Sequence, residues 1–238
     1  MADKRARAVA VSDALAAAYP HSTCALDHRS PFQLLVATVL SAQTTDLKVN
    51  EVTADLFHHW PTPQALAQAD VDEVGATVNR IGLWRAKARN IVALSQGLVD
   101  RFGGELPRTV AELTTLPGVG RKTATAVLGS AFGIAAGITV DTHMLRINRL
   151  LRLSIKQDPV KMAGELEKLL PPEVWSAYTH RIIDHGRLVC VARRPRCGVC
   201  PLASRCPSAM DPKVGYKPGN DAREPASAKG LSWMQRLR

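Results

Sequence analysis

The stretch LPGVGRKTATAVLGSAF, residues 116–132, joins a glycine-rich turn directly to a helix. Gly118 and Gly120 permit backbone angles that are closed to other residues, and they keep side chains off the surface of the turn. The N–H groups of Val119, Gly120 and Arg121 can then point outward together, and such an arrangement binds an anionic oxygen, for example a DNA phosphate. A tight connector between two packed helices explains the same glycines, so the pattern leaves both interpretations open.

The next residue of this helix is Lys122, although the positive end of a helix dipole disfavours an ammonium group. Desolvation and the helix N-terminus both favour the neutral amine, which is a nucleophile towards carbonyl-like carbon. Asp141, in VDTH at 140–143, begins the next long helix and is a candidate proton acceptor. Each residue also has a simpler explanation, because a solvated lysine can contact phosphate and an aspartate at a helix start is normally an N-cap.

The composition of the 238-residue chain indicates a polyanionic partner. Lysine and arginine exceed aspartate and glutamate by 31 to 21, for a formal charge of +10. This balance favours nucleic acid as the partner, with a membrane surface as the second choice. No apolar run of about 18 residues predicts a membrane span, and the basic N-terminus lacks the apolar segment of a secretory signal. We therefore expect a cytoplasmic protein without a targeting signal.

Nearly every periodic stretch of the chain has a helical repeat. Helices are predicted over 11–19, 31–43, 46–60, 62–70, 71–82, 83–102, 109–115, 119–132, 142–153, 159–170 and 172–189. Only 134–140 has strand character, so the predicted class is all-α. From 211 onwards the chain is rich in Pro, Gly, Ala and charge, and this composition predicts a disordered tail.

Four of the five cysteines lie close together near the end of the helical region, with gaps of six, two and five residues. They are Cys190, Cys197, Cys200 and Cys206. Four thiolates at this density hold either one tetrahedral metal or one [4Fe–4S] cube, and their spacing leaves zinc and iron–sulfur open. The first gap contains Arg193, Arg194 and Arg196, which a stiffened loop would present as a phosphate-binding surface.

Taken together, these motifs resemble one family. LSAQTTD at 40–46, LPGVGRKTA at 116–124, VDTH at 140–143 and the cysteine loop follow one another as they do in endonuclease III. That family belongs to the helix-hairpin-helix DNA glycosylases. The resemblance covers about residues 10–208.

The resemblance implies two helical domains that flank a DNA-binding cleft. A six-helix barrel with the helix-hairpin-helix motif is expected over 25–135, and an iron–sulfur cluster domain over 1–24 together with 136–210. The disordered basic tail is expected over 211–238. The resemblance also implies a [4Fe–4S] cluster on the four cysteines.

The activity implied is that of a bifunctional DNA glycosylase and abasic-site lyase of base excision repair, acting on oxidised pyrimidines in duplex DNA. Lys122 would attack C1′ of the flipped nucleotide and form a Schiff base, Asp141 would assist, and β-elimination would break the strand on the 3′ side. Gln43 would fill the gap left by the extruded base, and Leu83 would be the wedge beside the orphaned partner. The expected partner is damaged or abasic double-stranded DNA, bound by a monomeric, nucleoid-associated bacterial protein.

Two other functions fit part of the sequence. An adenine-mismatch glycosylase shares the fold, the aspartate and the cluster, but it would lack the nucleophilic Lys122. A noncatalytic helix-hairpin-helix module would use the glycine turn and the arginines only to hold phosphates. That module would leave the pairing of Lys122 with Asp141, and the cluster, without a role.

Overall fold

A computed structural model describes residues 2–222, and these residues form helices and turns without a β-strand. The prediction of an all-α class is therefore confirmed. Residues 223–238, which belong to the predicted tail, lie outside the described residues. None of the helices in the described range is long and apolar enough to cross a membrane.

The helices follow one another with short connections. They are α1 (Ala2–Ala18), α2 (Pro31–Leu40), α3 (Asp46–His59), α4 (Pro63–Ala67), α5 (Val71–Val78), α6 (Trp84–Phe102), α7 (Val110–Leu113), α8 (Arg121–Phe132), α9 (Thr142–Leu150), α10 (Pro159–Leu169) and α11 (Trp175–Leu188). The chain divides into two compact units, one formed by Cys24–Ala136 and the other by Met1–Thr23 with Gly137–Arg238. Each unit has a hydrophobic core of its own.

The unit Cys24–Ala136 is built around α2. This helix is apolar almost all round and packs against α3, α6 and α8, so that most of its side chains are buried. Its start is fixed locally, because the Ser30 hydroxyl accepts a hydrogen bond from the Gln33 N–H at 3.2 Å and Pro31 occupies the first helical position. The sequence SPFQ therefore both begins the helix and orients it.

The second unit combines α1 with the helices that follow residue 136. The predicted first helix, 11–19, begins earlier in the structure, at Ala2, because Ala8 lies on the same buried face as Val11 and Leu15. Helix α11 packs against α1 and α9. Its Tyr178 is fully buried, and the phenol donates a hydrogen bond to Asn148 Oδ1 at 2.6 Å.

Residues 211–222, which we call the strap, differ from the prediction of disorder. They form two short 3₁₀ turns, Pro212–Val214 and Pro218–Asn220, and Asn220 is only 5% exposed. The composition of the strap does lack apolar residues that could build a core. Its order instead comes from polar contacts with the cysteine loop, such as the hydrogen bond from Asn220 Nδ2 to the Pro195 carbonyl at 3.3 Å.

Candidate functional site

The glycine-rich turn connects α7 to α8 through a tight β-turn. The Val119 N–H donates to the Leu116 carbonyl at 3.1 Å, and Gly118 has a φ of +75°. Proline followed by a residue of positive φ is the signature of a type II turn, which explains the Pro-Gly pair. Val119 is only 5% exposed. The expectation that its N–H points outward to an anion is therefore wrong, because the turn itself uses that group.

The N-terminus of α8 has the open backbone geometry that anion binding requires. Gly120 occupies the N-cap position with a φ of −86° and offers no side chain as a cap. The backbone bond from the Ala124 N–H to the Gly120 carbonyl, at 3.0 Å, closes the first full turn. The N–H groups of Arg121 and Lys122 precede that bond, so they point out of the helix end where a phosphate oxygen binds best.

Lys122 is exposed in the first turn of α8. The simpler interpretation, a solvated lysine, therefore agrees with this structure, and the expectation that the amine is desolvated is wrong. The same exposure leaves the amine accessible to a large substrate.

Asp141 is the N-cap of α9, as the simpler of its two interpretations predicts. Its Oδ1 accepts a hydrogen bond from the Met144 N–H at 2.8 Å, and its backbone is extended. One carboxylate oxygen is thus fixed, while Oδ2 has no hydrogen-bond donor among residues 2–222. Lys122 lies in the unit Cys24–Ala136, whereas Asp141 lies in the other unit.

Gln43 and Leu83 share an uncommon backbone conformation. Both are exposed, and their φ values of 55° and 59° lie in the left-handed region, which costs about 1–3 kcal/mol for residues other than glycine. Leu83 is also 63% exposed, which is high for a large apolar residue. Strain of this kind concentrates at functional sites. The backbone conformation and the exposure of Gln43 and Leu83 suit side chains that insert into DNA.

Lys87, which the sequence analysis missed, connects the two segments that carry these residues. Its N–H donates to the Leu83 carbonyl at 3.0 Å, and its Nζ donates to Thr44 Oγ1 at 2.9 Å, beside Gln43. The side chain is only 5% exposed, and burial lowers the pKa of its ammonium group. In the sequence, Lys87 can be recognised only as the residue one helical turn after Leu83. Nothing in the sequence indicates its contact with Thr44.

The four clustered cysteines line one cavity in the unit that contains α9 and α11. Apolar side chains such as Ile147, Leu151 and Leu202 form much of its wall, and the thiols are not joined in disulfides. Among residues 2–222, no three His, Cys, Asp or Glu side chains stand close enough together to hold a single metal ion. The four cysteines on one cavity could supply one thiolate for each iron of a [4Fe–4S] cluster.

Burial controls the protonation of this cavity in the absence of a metal. It raises the pKa of the Cys200 thiol to about 12 and lowers that of His185 to about 4, so both groups are neutral near pH 7. Bound iron reverses this preference for the cysteines, because the thiolate is the ligand form. Arg146 donates to Cys190 Sγ at 3.4 Å and to the Cys190 carbonyl at 2.5 Å. The sequence does not reveal this contact, because the two residues are 44 positions apart.

The three arginines of the cysteine loop have different environments. Arg193 and Arg194 are exposed, and Arg193 has a φ of 65°. The guanidinium of Arg196 instead donates to the Asp221 carbonyl at 2.8 Å and to the Leu188 carbonyl at 3.3 Å. These bonds make Arg196 a structural residue of the loop, so the expectation that it contacts DNA loses its basis.

Comparisons with known proteins give a consistent result. Residues 36–172 match the family model of the HhH-GPD superfamily base excision DNA repair proteins, and 190–206 match the iron–sulfur binding domain of endonuclease III. Endonuclease III of Synechocystis sp. is 48% identical over 210 residues, which cover 88% of this chain and 96% of the relative.

Two solved structures are similar to this chain over most of its length. A non-covalent endonuclease III–DNA complex has a TM-score of 0.80 at 42% identity, with 86% of this chain and 96% of that chain covered. A trapped endonuclease III–DNA covalent intermediate, described as an estranged-adenine complex, has a TM-score of 0.77 at 43% identity. The match covers 83% of this chain and 93% of the other chain.

Proposed function

Because this chain belongs to the endonuclease III family of helix-hairpin-helix base excision repair proteins, we propose that it excises oxidised pyrimidines from duplex DNA and then cleaves the strand 3′ to the abasic site. The exposed Lys122, at the uncapped start of α8 and directly after the hairpin turn, is the observation that carries this proposal. The substrate is double-stranded DNA with a damaged pyrimidine or an abasic site. A monomer acting on the nucleoid in the bacterial cytoplasm suits that substrate.

In the proposed chemistry, the Lys122 amine supplies the electron pair that forms the N–C1′ bond. The bond between C1′ and the base breaks, and the departing base takes the electron pair of that bond and a proton from water. Asp141 accepts the proton that the attacking nitrogen loses. The C1′–O4′ bond of the sugar ring then breaks, O4′ takes its electron pair and the proton held by Asp141, and the Schiff base results. Loss of a C2′ proton breaks the C3′–O bond, which is the β-elimination that cleaves the strand.

The proposed DNA contacts divide into two kinds. Gly118 shapes the hairpin turn, Val119 packs beneath it, and the open N–H groups at the start of α8 bind a phosphate. Arg121, which follows Gly120, contacts DNA through its side chain, as do Arg193 and Arg194. The side chains of Gln43 and Leu83 insert into the DNA duplex. Inserted side chains partly offset the few kcal/mol that base extrusion costs.

The chain carries a [4Fe–4S] cluster, as its match to the iron–sulfur domain indicates. We assign its ligands to the four cysteines that line one cavity, namely Cys190, Cys197, Cys200 and Cys206. When bound, the cluster links the two ends of the cysteine loop and stiffens it. Metal analysis of the purified protein should give about four iron atoms per chain, whereas stoichiometric zinc would contradict the assignment.

Borohydride trapping on an abasic duplex tests the nucleophile. The unsubstituted protein should form a covalent adduct, and Lys122→Ala should lose it because the attacking nitrogen is gone. Lys161→Ala is the matched control, since Lys161 is also exposed in the first turn of a helix, α10, and its removal changes the charge equally. An adduct of undiminished yield in Lys122→Ala would assign the nucleophile to another residue.

Two substitutions separate the roles of Asp141. Asparagine caps a helix about as well as aspartate, so Asp141→Asn should keep the free energy of unfolding while slowing adduct formation. Asp141→Ala should slow the reaction and also cost about 1 kcal/mol of stability, through loss of the bond to the Met144 N–H. If Asp141→Asn forms the adduct at the normal rate, Asp141 is an N-cap only.

A further inference from the structure

The strap, residues 211–222, is bound to the cysteine loop on both sides of Cys197. The guanidinium of Arg196 donates twice to the Asp221 carbonyl, at 2.8 and 3.3 Å. The Gly198 N–H donates to Asp221 Oδ1 at 3.0 Å. Asp221 therefore holds the residues immediately before and after a cluster ligand.

A second set of contacts lies nearer to Cys190. Gly215 has a φ of +88°, and a Cβ placed on it would lie 2.5 Å from the Arg193 carbonyl oxygen. The two backbones thus approach more closely than any side chain allows. The neighbouring Val214 lines the same cavity as the four cysteines. The strap therefore forms part of the wall of the cluster cavity.

The strap is also braced within itself. The Tyr216 hydroxyl donates to Asp221 Oδ2 at 3.0 Å, and Asn220 Nδ2 donates to the Gly215 carbonyl at 3.2 Å. Asn220 is only 5% exposed, although it lies in a segment of polar composition. These bonds fix the shape in which the strap meets the loop, so a local change in the strap is transmitted to the whole contact.

We propose that the strap retains the [4Fe–4S] cluster by holding the loop between Cys190 and Cys197 closed. Opening of this loop would expose the ligand sulfurs further to water or an oxidant, and opening breaks the contacts of Asp221, Asn220 and Gly215. The match to the iron–sulfur domain ends at residue 206, so the strap lies outside the matched domain. The inference rests on the proposed cluster ligands but not on the chemistry of Lys122.

A pair of glycine substitutions in the full-length holoprotein tests the strap. Gly215→Ala places a methyl group against the Arg193 backbone, whereas Gly219→Ala, in the same segment, meets no atom within 4 Å. Iron release to a ferrous chelator in air, together with loss of the visible absorption of the cluster, measures retention. Gly215→Ala should release iron roughly tenfold faster, which corresponds to about 1.4 kcal/mol. Gly219→Ala should stay within about twofold of the unsubstituted rate.

Truncations give an independent version of the same test. A chain that ends after Met210 lacks the strap and should release iron at least as fast as Gly215→Ala, or bind none. A chain that ends after Ala222 keeps the strap and should retain its iron. Equal iron-release rates for Gly215→Ala and Gly219→Ala, from proteins that each hold about four iron atoms, would contradict the proposal that the strap retains the cluster. Iron-free unsubstituted protein would instead overturn the ligand assignment, whereas the trapping assay addresses Lys122 separately.

Discussion

Replacing Gly118 with alanine should destabilise the hairpin turn more than any other single methyl group added there. The φ of this residue is +75°, where an alanine side chain is strained. A Cβ at this position would lie 3.0 Å from Asn90 Cβ and 3.1 Å from Asn90 Nδ2. Asn90 is part of α6, so its Cβ cannot move without the helix.

The two effects add to a measurable loss. A left-handed conformation costs an alanine about 1–2 kcal/mol relative to glycine, and crowding in a packed site costs about 1 kcal/mol or more. We therefore expect Gly118→Ala to lower the free energy of unfolding by about 2–3 kcal/mol. Affinity for duplex DNA should fall as well, because the turn places the N–H groups at the start of α8.

Urea unfolding followed by far-UV circular dichroism measures the loss, with Gly120→Ala as the matched control. Gly120 has a φ of −86°, and nothing lies within 4 Å of an added Cβ. The control should cost only about 0.5–1 kcal/mol, from the poorer capping by alanine. If Gly118→Ala is no more destabilising than Gly120→Ala, the backbone and contact argument for the turn is wrong.

Tyr178→Phe should lower the free energy of unfolding by about 1–3 kcal/mol, because it leaves the buried Asn148 Oδ1 without its hydrogen-bond donor. The control Tyr216→Phe removes a half-buried hydroxyl and should cost less than about 1 kcal/mol. Similar losses for the two variants in urea unfolding would contradict this. Burial lowers the pKa of Lys87 below 10.5, so its ammonium group destabilises the folded state at neutral pH, and this penalty is relieved as the pH rises. Urea titrations should therefore show the stability of Lys87→Met relative to the native chain falling from about pH 7 to about pH 10, and a constant difference would refute the shift. The dissociation constant for duplex DNA should rise steeply with salt, and Arg193→Gln should reduce the log–log slope by about one; an unchanged slope removes Arg193 from the proposed surface.

Local patterns were sufficient to predict much of the molecule. The helical class follows from apolar residues that recur every three or four positions, as in α2 and α6, and the structure confirms it. The cysteine spacing alone left zinc and iron–sulfur open, and the [4Fe–4S] cluster that the family resemblance implies agrees with the matched domain at 190–206. The Asp141 N-cap is likewise a local feature, because its partner Met144 is three residues away.

Features that depend on distant residues were not predictable in this way. Composition made residues 211–222 look disordered, since it cannot show that Asp221 accepts hydrogen bonds from Arg196 and Gly198. The same contacts turn Arg196 from a candidate DNA ligand into a structural residue. Whether Lys122 is solvated or desolvated stayed open in the sequence for a related reason. The expectation of desolvation came from its chemistry, whereas burial is set by the packing of the entire unit.

The discontinuity of the unit that holds α1 has a consequence for biosynthesis. Residues 24–136 form a complete core, so this unit can fold while the ribosome is still translating the remainder. Helix α1 emerges first but packs against α10 and α11, so its buried face must wait for them. The cysteines emerge later still, and iron delivery to the nascent protein therefore comes at the end of the assembly order.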